Sequence, residues 1–153
     1  MTPIHPVAIL IPLAVGAGAT LCTICIHALA VGATVKVARR ERKLARVGAN
    51  SWIDLAIVSR VITFAFVAHL IEIALWAGLF LICGEFHDFG TAYYHSAVNY
   101  TTLGYGDLIM TPSWRLLGPL EAADGSLMFG LSTAMAFAVI IWLIQARYVD
   151  LRD

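Results

Sequence analysis

Thr101-Thr102-Leu103-Gly104-Tyr105-Gly106-Asp107 decides how the rest of this 153-residue chain is read. Its glycines stand two apart, at 104 and 106. Glycine takes positive-φ backbone at no steric cost, so a chain alternating such dihedrals can turn successive carbonyl oxygens to one side. Backbone of that kind is neither helix nor strand. At membrane depth it is tolerated only where protein buries it or where it lines a water-filled path. The heptapeptide therefore calls for a short helix before it and a membrane span on either side.

Both flanks meet that requirement. Residues 91–101 read as a short helix. At roughly 15 Å it cannot cross a bilayer, which takes about 20 residues, so it suits a re-entrant position. Gly90 breaks the chain ahead of it, and Asp88 or Thr91 is placed to cap its start. Behind the heptapeptide, Thr111-Pro112-Ser113 form a loop, and a long apolar run follows.

Composition agrees. Apolar residues make up 60% of the chain and charged ones 13%, with ten bases against ten acids. That describes a single integral membrane domain and gives nucleic acid no basic surface to bind. The three cysteines, Cys22, Cys25 and Cys83, do not form an even disulfide set. The Cys22-x-x-Cys25 pair lies in an apolar run without a second ligand pair, so packing is expected there rather than metal or redox chemistry. The start of the chain lacks the basic region of a signal peptide, and its first apolar run is longer than a signal core, so it is expected to remain as a span.

In chain order, residues 1–36 are expected to form an N-terminal transmembrane helix with small residues suited to close helix contact. His27 is the polar group within it and reads as a hydrogen-bonded packing histidine. Residues 37–51 form a basic link, placed in the cytoplasm by the positive-inside rule and against anionic lipid headgroups by its charge. The N-terminus is then outside and the C-terminus cytoplasmic. Residues 52–83 make a second span, with Trp52 and Trp76 as interfacial anchors, and Asp54 and Arg60 towards its inner end. His69 and Glu72 stand three apart on one face of it, at a depth where ionisable groups are costly. They are either a satisfied structural pair or a proton-sensitive gating element. From Glu85 to Asp124 there are five acids and a single base, Arg115, which fits an outer loop whose negative field concentrates cations. The last span covers 114–148.

From Trp52 to Tyr148 the chain resembles the pore region of potassium channels, on the strength of T-x-G-Y-G-D, the short helix before it and the flanking spans in the required order. The resemblance implies an all-α membrane protein with three transmembrane helices per chain, a re-entrant pore helix, and four chains around one axis. In such a homotetramer, rings of carbonyl oxygens replace the hydration shell of K⁺. Carried over by residue, K⁺ would be bound by Thr102, Leu103, Gly104 and Tyr105, with Gly106 completing the filter and the Thr102 hydroxyl facing the cavity. Leu103 and Tyr105 would pack as a cuff against the pore helix. Thr101 and Asp107 would support the filter. Gly125 falls where the family often has a hinge glycine, and Gly130 lies in the stretch that looks like its inner-helix core. No cofactor is implied beyond K⁺, and no enzymatic residue set is present.

Three positions depart from the family's common pattern. Leu103 replaces the usual valine or isoleucine. Val98 stands where many members carry a glutamate behind the filter, and Tyr94 and His95 occupy an aromatic pair, so Asp107 is expected to bond one of those two. Glu121 and Asp124 are expected either to bond the pore helix or to join His69 and Glu72, with the central cavity a second setting for Asp124. Arg60 alone does not make a voltage sensor, and the residues after Tyr148 are too few for a ligand-binding domain. A weakly selective cation channel and a non-conducting regulatory subunit remain alternatives. Cellular placement is expected in the plasma or inner membrane, crossed several times.

Overall fold

A computed structural model of the chain describes residues 6–43 and 50–149. Four helices account for most of them: α1 Pro6–Lys43, α2 Ser51–Ile82, α3 Phe89–Tyr100 and α4 Leu117–Val149. Among the described residues, α1, α2 and α4 contain stretches long and apolar enough to cross a membrane, at Ile9–Lys43, Ser51–Ile82 and Leu117–Arg147. Helix α3, at 12 residues, is not.

The ends of these helices follow from local chemistry. Helix α1 does not stop at residue 36 but runs on through much of the basic stretch to Lys43. Lysine and arginine are good helix formers, and cations in a last turn sit well against the negative end of the helix dipole. The expected beginning of the first span at residues 1–5 and the basic residues 44–49 lie outside the described residues. The Asn50 side chain accepts from the Trp52 amide at 3.0 Å and opens α2. Gly84, at φ +75°, closes it: the Glu85 amide bonds the Phe80 carbonyl and the Gly84 amide bonds Leu81, a Schellman end that needs the left-handed residue. Asp88 caps α3, accepting from the Thr91 amide at 2.8 Å. That bond holds the Asp88 carboxyl below the usual carboxylate range, so the cap persists into acid. Residues 114–116 make a turn, and α4 starts at Leu117.

The described chain divides into two compact units, one of Met1–Ile26 with His69–Met128, the other of His27–Ala68 with Phe129–Asp153. The first has an aromatic core: Trp76, Phe80 and Tyr100 pack with Ile73, Leu117 and Met128. Gly16 of α1 serves close contact there, since a Cβ added to it would fall 2.6 Å from a Leu120 methyl. The second unit is held by a narrower apolar stripe, Ile57 and Val61 of α2 against Val139 and Leu143 of α4. At its margins Arg60 pairs with Glu41 at 3.0 Å and Arg147 with Asp54 at 2.8 Å. His27, also in this unit, lies 3.1 Å from the Ser132 hydroxyl. Cys22 and Cys25 are exposed rather than packed, because the buried face of α1 runs through Thr23 and His27.

Candidate ion pathway segment

The segment after α3 is built on that helix's last turn. The Thr101 amide bonds the Ala97 carbonyl, Thr102 bonds Asn99, and both Leu103 and Gly104 bond Val98, at 2.8–3.3 Å. The Thr101 hydroxyl also donates to the Ala97 carbonyl at 2.6 Å. The negative end of α3 is thus capped by the segment's own amides. In a planar trans peptide each carbonyl points opposite the following amide, so the carbonyls of Thr101, Thr102 and Leu103 face away from α3.

The dihedrals continue the pattern. Thr102, Gly104 and Gly106 have φ of +60°, +58° and +72°, every second residue in the left-handed region. Among the described residues Thr102 is the one non-glycine with positive φ. A side chain held there costs about 1–2 kcal/mol and persists only when the surroundings fix it; here the amide bonds into α3 do so. Residues 101–107 are all exposed. The result is a row of hard oxygen donors on an open face.

The support behind the row is polar and specific. The Tyr94 hydroxyl donates to the Asp107 carboxylate at 2.8 Å, so of the two aromatic candidates it is Tyr94 that holds Asp107. His95 turns elsewhere, its Nε2 lying 2.9 Å from the Asn99 amide and its ring against Phe80 and Phe86. Val98 is buried. Glu85 accepts from both the amide and the hydroxyl of Thr111, at 2.7 and 2.5 Å, tying the exit of the segment to the end of α2.

The acids of α4 are fully buried. Glu121 accepts from the Ser96 hydroxyl of α3 at 2.5 Å; Ser96 also lies 2.8 Å from the Ile73 carbonyl. Asp124 accepts from Trp76 Nε1 at 2.9 Å and from the Thr23 hydroxyl at 2.9 and 3.0 Å. Asp124 is thus buried among α1 and α2 donors, a setting that was not among those expected for it. Glu72 takes the Tyr100 hydroxyl, and His69 Nδ1 lies 3.1 Å from Glu72 and 3.2 Å from that hydroxyl. Ser96, Tyr100, Trp76 and Thr23 are the partners that sequence reading missed. The signal was available: three buried acids need donors, and Ser96 and Tyr100 stand one turn apart on α3.

Gly125 has a packing reason for being glycine. A Cβ added there would fall 2.1 Å from the Tyr100 carbonyl oxygen and 2.9 Å from its carbon, backbone atoms that cannot step aside. Around Gly130 there is open space. Leu103 and Tyr105 do not form a cuff on their own α3. They stand 59% and 67% exposed, with little among the described residues to cover them.

The profile of the ion channel family matches residues 56–142, more than half of the chain. The chain belongs to the ion channel family. No curated protein and no solved structure matches it. Within this family assignment α1 is an addition, since the matched residues begin inside α2.

Proposed function

We propose that the chain is one subunit of a homotetrameric, potassium-selective channel. The observation that carries this reading is the carbonyl row, created by positive φ at 102, 104 and 106 together with amides turned into α3. Four such rows around an axis would give rings at Thr102, Leu103, Gly104 and Tyr105, with Gly106 letting the backbone leave the row. Transport is passive, and no bond is made or broken. The exposed Leu103 and Tyr105 side chains favour an oligomer, since a neighbouring subunit would supply the cover that one chain lacks.

In this reading Thr101 and Asp107 hold the two ends of the filter, Asp107 through Tyr94 in place of the glutamate that Val98 replaces. Glu121, His69 and Glu72 brace α3 from behind and Asp124 ties α4 to α1 and α2, rather than meeting the ion, and Gly130 is the glycine with room to act as a hinge. The N-terminus lies outside and the basic end of α1 in the cytoplasm.

The test is flux from liposomes holding the purified protein, with K⁺ and Na⁺ gradients compared. K⁺ flux well above Na⁺ flux, abolished by Gly104→Ala, is the expected result. The site of that change is open, so its effect acts through the φ of +58° and not through a clash. Equal flux of both cations would make the pore weakly selective. Absence of flux from a monomer would favour a regulatory subunit.

A further inference from the structure

A second site lies within the second unit. Between α1 and α4 there is a cavity of about 290 Å³, lined among others by Thr34, Arg39 and Arg42 of α1 and by Met135, Val139 and Trp142 of α4. On α4 the spacing i, i+4, i+7 puts the lining residues on one face, and on α1 they spread over a wider arc of about 140°. Its chemistry is graded. Arg39 and Arg42 are exposed, and among the described residues neither has an ion-pair partner. The nearby acid, Glu41, is taken by Arg60. The α4 wall is apolar. Thr34, 2% exposed, has its hydroxyl buried with no hydrogen-bond partner, a condition that costs free energy unless something supplies one.

We infer that this cavity binds a phospholipid with an anionic headgroup. The two guanidinium groups take the phosphate, which arginine recognises through paired donors. Thr34, about 8 Å further along α1 from Arg39 at a helical rise, meets a glycerol or ester oxygen. The acyl chains leave along Met135, Val139 and Trp142 into the bilayer, since the cavity is too small for a whole lipid. A soluble anion would satisfy the arginines and leave the apolar wall and the threonine unused; a zwitterionic lipid would set its cationic head against the two arginines. One wall belongs to α4, so an occupant would bias the position of that helix. The proposal requires only that these helices cross a bilayer and does not depend on ion selectivity, so failure of the flux assay leaves it intact.

Trp142 provides the readout. The full chain is reconstituted in phosphatidylcholine liposomes containing increasing fractions of brominated phosphatidylglycerol or brominated phosphatidylcholine, and the Trp142 signal is taken as the difference from Trp142→Phe. Brominated phosphatidylglycerol is expected to quench that signal at a mole fraction roughly thirtyfold lower than brominated phosphatidylcholine, as two cationic contacts imply. The Arg39→Gln/Arg42→Gln pair should abolish the preference, whereas Arg40→Gln/Lys43→Gln, which removes equal charge from exposed positions of the same helix, should keep it. Equal quenching by the two lipids would overturn the proposal. So would an equal loss in both double variants, which would reduce the effect to a diffuse basic surface.

Discussion

The two units of this chain are held together by different physics. In the first, Glu72, Glu121 and Asp124 are fully buried, and hydroxyl or indole donors from other helices meet each of them. In the second, an aliphatic stripe holds α2 to α4, the buried polar groups include His27, Thr34 and Glu41, and the ion pairs sit at the margins with Arg60 54% and Arg147 43% exposed. A buried acid bonded to particular donors fixes one arrangement, because any slip leaves a polar group unpaired in a low-dielectric interior. An aliphatic stripe tolerates repacking far better. The lesson is that the chain is braced where the carbonyl row must keep its geometry and left adjustable elsewhere.

The hardest blow to that contrast is Gly125→Ala. Its Cβ has no room beside the Tyr100 backbone, so it forces α3 and α4 apart. The loss should be at least the top of the range of about 1–3 kcal/mol known for overpacking, read as failed assembly or a steep fall in melting temperature. Gly130→Ala, in open space, serves as its counterpart and should leave folding nearly unchanged. Next comes Asp124→Ala, which takes the acceptor from the Trp76 indole while the Thr23 hydroxyl keeps the Thr20 carbonyl at 2.7 Å; about 1–3 kcal/mol for the unsatisfied indole is expected in chemical denaturation. Tyr94→Phe frees Asp107 at the exposed end of the segment. It should leave melting almost unaltered while shortening the time that the channel stays conducting, seen as faster decay of single-channel activity. Smallest is Arg147→Gln, which breaks a pair whose arginine is 43% and whose aspartate is 16% exposed, and it should cost less than about 1 kcal/mol. If Arg147→Gln proved as damaging as Asp124→Ala, the contrast between the units would be lost.

Much of this was legible beforehand. Three apolar runs of sufficient length, a short helix between the second and third, and glycines two apart leave few folds open. Tyr94 and His95 were correctly singled out as the candidates for Asp107, but only packing decides between them. The partners of Asp124 were not legible, since they depend on the rotation of α4 against α1 and α2. Gly125 was singled out because it falls where the resembled family often has a hinge glycine; the Tyr100 carbonyl packed against it is 25 residues away along the chain. The exposure of Leu103 and Tyr105 was not legible either, since it depends on how the segment leaves α3.

The central claim is that the carbonyls of residues 102–105 hold dehydrated K⁺ on a shared axis. Crystals grown with Tl⁺ in place of K⁺ test it directly through anomalous difference density. The account predicts a row of peaks on a four-fold axis, each ringed by the carbonyl oxygens of Thr102, Leu103, Gly104 and Tyr105. An assembly whose symmetry keeps those carbonyls off its axis, or Tl⁺ bound elsewhere with none between them, would contradict it.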